Sequence, residues 1–408
     1  MGLPLSGAHA KVKLGVLYIS YDGMLEPLGQ SQVLAYLKSL AARRRIHLIS
    51  FEKAGDWSRT TERKRITKDI ADAGIIWHPL RYHKSPSALA TAWDIVCGTV
   101  LGLWLVLRFW LRIVHARSYV ASAMALVIKR ITGVKYLFDM RGFWVDERVD
   151  GGLWPSGGRM YRLAKVCERR FLLAADHVVS LTHAAVREMQ HFEYLQGRMP
   201  TVTVIPTCAD LARFAPIFHE RTDEGFVLGY VGSVGTWYLF EETVACFVQL
   251  LRLRSDARLL ILNRYEHTFI RERLAAAGLQ DAPVELITAS HDEVPRQISR
   301  MDAGVFFIKP VFSKQASAPT KLAEFLGCGI PCLCNAGVGD MASVLEVEQV
   351  GIALNSFDDT SMVVGLQRLL QLTLDPTTRA RCVAAAQKHF SLDEGVARYH
   401  LIYEQLDA

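Results

Sequence analysis

The sequence predicts an α/β protein built from two tandem, doubly wound Rossmann-like domains with a cleft between them. Three observations lead there. The 408 residues are enough for two cores of ordinary size. Half of them are apolar and 22% are charged, with no low-complexity tract, which is the composition of a folded chain. Short apolar or β-branched runs alternate with helix-period segments in two successive series, and that alternation is the mark of parallel sheets covered by helices.

The first series runs VKLGVLYIS (12–20), HLISF (47–51), IIWHPL (75–80), IVHARS (113–118), KYLFDM (135–140), HVVSLT (177–182) and TVTVIP (201–206). A polar stretch, FHERTDEG (218–225), separates it from the second series. That series comprises FVLGYVGS (226–233), RLLILN (258–263), VELIT (284–288), AGVFFI (303–308), PCLCN (331–335) and GIAL (351–354). The expected domains are therefore 1–207 and 208–390. The amphipathic segment 391–408 is expected to be a helix that returns to the first domain. Ligands of such sheets gather at the carboxyl ends of the strands, here in the cleft.

One segment breaks the alternation: WDIVCGTVLGLWLVLRFWLRIVHARS (93–118). Its uncharged apolar centre, Ile95 to Leu107, falls short of the ~20 residues needed to span a bilayer. Arg108 and Arg112 lie one helical turn apart just beyond it. A buried core helix and a helix lying in a membrane interface, with tryptophan and arginine at headgroup level, are both preferred over a spanning helix.

The net charge of +6 suits an anionic small molecule or an anionic membrane surface and is too thinly spread for nucleic acid. Eight cysteines fall mostly in apolar runs, without the spacing of a zinc site or a disulfide framework, so they are expected to be reduced and buried. No metal and no cofactor are expected. The opening Met-Gly-Leu-Pro-Leu-Ser-Gly lacks the features of a secretory signal, and a cytoplasmic location is expected.

The chemistry concentrates in SAPTKLAEFLGCGIPCLC (317–334). Lys321 and Glu324 share a face of the helix that opens after Pro319 and Thr320. A helix N-terminus offers free N–H groups and partial positive charge to a phosphate, and a lysine there adds a full charge. A carboxylate one turn deeper can accept two hydroxyl hydrogen bonds of a ribose. By themselves these two residues read more readily as a weak ion pair on a helix surface.

Taken with YVGSVGTWY (230–238), DGMLEPLGQSQV (22–33) and DMRGFWVDERVDGGLW (139–154), the segment resembles the GT-B-fold retaining glycosyltransferases of family four, which build bacterial surface polysaccharides. The likeness covers nearly the whole chain. It implies that Glu324 binds the ribose of a donor nucleotide. Ala316 stands where the family has a glutamate touching the transferred sugar, with Ser317 or Lys314 as the nearby substitutes. Ser233 occupies the position of a diphosphate-clamping arginine, so positive charge must come from Lys321, Lys309 or Arg264. Gly235 and Thr236 can still offer backbone N–H groups to phosphate.

In the first domain, Gly29 permits close backbone approach, and the amides of Gln30 and Ser31 are expected to face the cleft from a helix start. Arg141 replaces a family histidine. It cannot act as a base, but it can stabilise a leaving phosphate or hold an anionic acceptor. Asp146, Glu147 and Asp150 are expected in a loop, either as hydroxyl binders or as a solvated charged stretch.

The implied reaction moves a sugar, with retention and without a divalent metal, from a nucleoside-diphosphate sugar to a hydroxyl of a glycan acceptor. Lys321 and Arg141 are the catalytic candidates, and UDP is the expected nucleotide by family frequency. The acceptor is expected to be lipid-linked, with the protein peripheral on the cytoplasmic face of the bacterial inner membrane. The alternatives are a sugar-nucleotide epimerase of the same fold and a non-catalytic partner protein.

Overall fold

A computed structural model describes residues 14–217, 225–290 and 292–408. The first seven residues and nearly all of the polar stretch 218–225 lie outside them. Among the described residues thirteen strands form two parallel sheets. Those of the first are β1 Gly15–Ser20, β2 Arg45–Glu52, β3 Ile76–Arg81, β4 Ile113–Arg117, β5 Lys135–Asp139, β6 His177–Ser180 and β7 Val202–Val204. Those of the second are β8 Val227–Val231, β9 Arg258–Leu262, β10 Val284–Ile287, β11 Ala303–Val305, β12 Cys332–Asn335 and β13 Gly351–Leu354. Their orders are β3-β2-β1-β4-β5-β6-β7 and β10-β9-β8-β11-β12-β13. Strands such as β1 are buried along their whole length, as expected of parallel strands covered on both faces. The α/β architecture of two parallel sheets read from the alternation is thus present.

Each sheet reverses its direction of growth once. In the second, the chain runs outward from β8 through β9 to β10, then returns to β11 on the other side of β8 and proceeds to β13. The chain therefore proceeds from β8 and from β11 toward opposite edges of the sheet, and the switch point with its crevice lies at the strands' carboxyl ends. The first sheet does the same between β1 and β4.

By compactness the chain groups into two units. One runs to Asp139 and includes Ala174–His177 and Tyr399–Ala408; the other holds Met140–Leu173 and Val178–Arg398. Within the first, the end of the helix Leu392–Asp407 is tied down by polar groups. Tyr399 donates to Asp139 at 3.1 Å, the Tyr403 hydroxyl lies 2.7 Å from Nδ1 of His115, and Arg44 pairs with Asp407.

The apolar centre of the anomalous segment belongs to a 23-residue helix, Ser87–Phe109, extended on its N-terminal side by the eight residues Ser87–Asp94, about two turns. One face carries the buried residues Ala90, Asp94, Gly98, Gly102 and Leu105, with Gly98 set against Met124 and Phe51, and Gly102 against Ile128 and Leu17. The opposite face exposes Leu89, Trp93, Val96, Val100, Trp104 and Leu107, each by more than half. Spacings of three and four residues make this one continuous stripe. By length and composition the helix could cross a membrane, yet a third of its apolar window is buried within the unit.

Candidate functional site

The crevice of the second sheet is built around the helix Thr320–Gly327, which follows β11. Pro319, extended at φ −67°, is its N-cap and sets the direction in which the helix starts. Lys321 is buried, and its Nζ has no hydrogen-bond partner. Aromatic faces surround it instead: the ammonium lies 3.5 Å from the ring centre of Tyr238 and 4.6 Å from that of Tyr230. Cation–π attraction of this kind offsets only part of the desolvation of a charge. Burial accordingly pulls Lys321 down to about 7, against the opposing pull of Glu324 and Glu266. Burial likewise pushes Glu324 up to about 7, with Lys321 and Arg213 acting the other way. Burial thus favours the neutral form of both groups, and their mutual attraction favours the charged forms.

Gly232 packs directly against the lysine side chain. A Cβ there would meet Lys321 Cε at 3.0 Å and Nζ at 3.3 Å, and its φ of 102° already demands glycine. Gly232 opens the loop after β8, which ends in Thr236 at φ 58°, a conformation costly for a branched residue and held by its surroundings. Tyr238 bridges to Ile308 and the Lys309 amide donates to the Trp237 carbonyl at 2.9 Å, so the loops after β8 and β11 are zipped together.

Glu266 fixes the other side of the loop. It accepts from Ser233 Oγ at 2.7 Å, from the Val234 amide at 3.3 Å and from Asn263 Nδ2 at 2.7 Å. Burial works to raise its proton affinity, but these hydrogen bonds prevail and hold its carboxyl below the usual range. Asn263 in turn donates to the Gly232 carbonyl and accepts from the Glu266 amide. Sequence reasoning passed over this pair, although Asn263-Arg-Tyr-Glu266 before a helix has the spacing of a capping box. It also passed over Tyr230 and Tyr238, which nothing short of the packed structure could have placed around a lysine.

The other sequence candidates divide sharply. Lys321, Glu324, Thr320, Ser233, Gly235, Thr236 and Lys309 all sit on the loops and helix of this crevice. Arg264 is exposed at the carboxyl end of β9, its guanidinium 5.4 Å from the Tyr265 ring centre. Arg141 follows β5 at φ 59°, and the next residue, Gly142, packs near the Ala316 carbonyl; Ser317 follows, half-buried.

Four expectations change. Asp146, Glu147 and Asp150 are on a helix, Trp144–Asp150, with acids in its first turn where the helix dipole favours them. Asp146 is buried and engaged by Lys165 at 2.9 Å and Tyr161 at 3.1 Å; Asp150 accepts from the Ser313 amide. Lys314 is engaged by Glu147 at 2.6 Å and lies over the Trp237 ring, so it is not the free substitute beside Ala316 that was expected. In the first unit the helix begins at Pro27, so the Gln30 amide lies one turn inside and donates to the Glu26 carbonyl at 3.1 Å. The Gln30 side chain is engaged by Glu62 and Arg65. Gly29 does provide a close approach: a Cβ would lie 2.0 Å from the Gly23 carbonyl oxygen.

Among the described residues no cluster of metal-ligating side chains occurs. Residues 29–208 match the family model of the glycosyl transferase 4-like domain. None of the curated proteins matches the sequence. Solved structures resemble the whole chain: a glycosyltransferase from Rickettsia africae, at a TM-score of 0.71 and 12% identity, covers 97% of this chain and 99% of its own. Sucrose-phosphate synthase from Thermosynechococcus elongatus gives 0.72 and 14%, with 97% and 99% covered. HepE from Anabaena, in complex with UDP-glucose, gives 0.67 and 12%, with 96% and 100% covered. Likeness at such low identity establishes the fold.

Proposed function

We propose that this chain, which matches the glycosyl transferase 4-like domain over residues 29–208 and shares the fold of solved glycosyltransferases throughout, is a GT-B glycosyltransferase. The protein transfers a sugar, with retention of configuration, from a nucleoside-diphosphate sugar to a hydroxyl of a lipid-linked glycan in cell-surface polysaccharide synthesis. Residues 208–390 take the donor, and residues 1–207 take the acceptor. One observation carries the reading: a buried lysine without a hydrogen-bond partner, against a glycine loop at the reversal point of a parallel sheet, with a carboxylate one turn deeper. Among the described residues that carboxylate, Glu324, accepts no hydrogen bond, as suits a group awaiting a ribose. HepE, of like fold, binds UDP-glucose, which favours a uridine nucleotide for this chain as well.

In this mechanism the bond from the anomeric carbon to the leaving phosphate oxygen lengthens as charge gathers on the diphosphate. Lys321 in its ammonium form and the first amides of the Thr320–Gly327 helix neutralise that charge. Arg141 serves the same charge or an anionic acceptor. A phosphate oxygen of the leaving group takes the proton of the attacking hydroxyl, so no protein carboxylate and no divalent metal are required. Alignment of donor and acceptor supplies much of the remaining rate.

The apolar stripe of the Ser87–Phe109 helix, bounded by Arg108 and Arg112, supports a peripheral seat on the cytoplasmic face of the inner membrane, where a lipid-linked acceptor resides. The test is a thermal-shift panel of UDP, GDP, ADP and their common sugars, followed by transfer and hydrolysis assays. A selective shift with one nucleotide and transfer to a lipid acceptor are expected. No shift with any nucleotide would defeat the reading in favour of a non-catalytic partner, and interconversion of donor sugars without an acceptor would favour an epimerase.

A further inference from the structure

The first unit carries a second concentration of positive charge, apart from the donor crevice of the second sheet. A cavity of about 680 Å³ opens at the carboxyl ends of β2 and β3, lined by Lys53, Arg81, Tyr82, His83 and Lys84 with Ala54 and Ser85. β2 ends at Glu52 and β3 at Arg81, so the lining is the last residue of β3 and the first residues beyond both strands, on the edge where open parallel sheets hold ligands.

The acids around the cavity leave part of this charge unmatched. Lys53 pairs with Glu26 at 2.5 Å. Asp94, buried on the Ser87–Phe109 helix, accepts from the Tyr21 hydroxyl at 2.9 Å and the His83 amide at 3.1 Å, and lies 2.6 Å from His83 Nδ1. A carboxylate can only accept there, so Nδ1 carries a proton and Nε2 is the nitrogen left to a ligand. Arg81 and Lys84 are exposed and meet no carboxylate among the described residues. Asp94 thus anchors the 82–84 turn, which carries Lys84 and an oriented imidazole beside Arg81 at the end of β3, so two uncompensated cations and the imidazole line one hollow. A guanidinium and an ammonium converging on one hollow suit phosphate oxygens.

The position of the cavity narrows the class of ligand. Leu89, the first residue of the exposed apolar stripe, is five residues beyond Lys84, and Trp93 is one turn further. With that stripe in the acyl boundary of a bilayer, the cavity stands at headgroup depth. A phosphate joined directly to a lipid reaches it, and the hollow has room beyond the phosphate for a sugar. We propose that Arg81, Lys84 and His83 form the site for the diphosphate of a membrane-embedded polyprenyl-type lipid that carries the glycan acceptor. The inference rests on the lipid-linked acceptor of the proposed function and assigns the residues that read its charged link.

The experiment is co-sedimentation of the full chain with three kinds of vesicle: phosphatidylcholine alone, equimolar phosphatidylcholine and phosphatidylglycerol, and phosphatidylcholine doped with a polyprenyl diphosphate. The double variant Arg81→Ala/Lys84→Ala, before the start of the Ser87–Phe109 helix, is compared with Arg108→Ala/Arg112→Ala at and just beyond its far end. Both remove two exposed cations, so on phosphatidylglycerol both weaken binding to a similar degree. On the diphosphate vesicles only the Arg81/Lys84 variant loses affinity, by about tenfold. Equal losses of the two variants there, or none, overturn the site and leave a bulk surface attraction. A wild-type protein that shifts with a nucleotide yet does not prefer diphosphate vesicles to plain phosphatidylcholine overturns the lipid-linked acceptor as well. Absence of any nucleotide shift defeats the transferase reading alone, independently of the cradle.

Discussion

Lys321→Met keeps the length of the side chain and removes the charge from a cage of aromatic rings. In the folded protein burial lowers the lysine from its ordinary 10.5 to about 7. At about 1.4 kcal/mol per pH unit, holding the buried ammonium near pH 7 costs on the order of 4 kcal/mol. The Tyr238 face returns ~1–2 kcal/mol of that. The variant is therefore expected to be more stable than wild type at pH 7 by ~2 kcal/mol, while its thermal shift with UDP and its transfer activity vanish. The pH dependence follows from the sign. The folded value lies below the unfolded one, so between about pH 7 and 10.5 the unfolded chain holds the extra proton, and wild-type stability rises with pH. The advantage of methionine must shrink across that window. Urea denaturation of both proteins at pH 7 and near pH 10 measures it. A methionine variant that is less stable at pH 7, or a difference that does not vary with pH, would refute the picture of a strained, ligand-awaiting lysine.

Three other outcomes are expected. Gly232→Ala combines φ 102° with a Cβ 3.0 Å from Lys321 Cε, and should cost ~1–3 kcal/mol in chemical denaturation and weaken UDP binding in calorimetry. Gly29→Ala sets a Cβ 2.0 Å from the Gly23 oxygen, a backbone clash expected to destabilise the protein by at least ~2 kcal/mol with little effect on the affinity of the second unit for UDP. His47 is fully buried, and burial, with His78 and Arg45 adding to it, lowers it from 6.5 to about 4. The unfolded chain therefore takes up a proton first as pH falls from 6.5 to 4, and stability drops across that range; in His47→Phe the pH slope of the urea midpoint should be flatter.

The alternation of strands and helices was legible because parallel strands covered on both faces must be apolar throughout, and helices between them must be amphipathic. The same local logic put Lys321 and Glu324 on one face of one helix turn, since three residues apart on a helix allows little else. It misjudged the acids after β5, where Asp146 and Glu147 read as polar loop but form the first turn of a helix and neutralise Lys165 and Lys314. Charged residues in a short segment carry no periodicity of their own, and their partners lie 19 and 167 residues away in sequence. Gln30 failed for a smaller reason: Pro27 starts the helix three residues early, and an amide expected to be free is consumed by Glu26.

The sequence by itself determined the fold class, the doubly wound order and the helix that bears the lysine and the glutamate, because each is a matter of local periodicity and strand-end position. Only the tertiary structure decided that Lys321 is buried against Gly232 between Tyr230 and Tyr238, that Glu266 clamps the neighbouring loop, and which face of the Ser87–Phe109 helix is open. Those facts depend on which distant groups come together in space. Charge, desolvation and exposure are properties of that assembly, and no stretch of chain carries them alone.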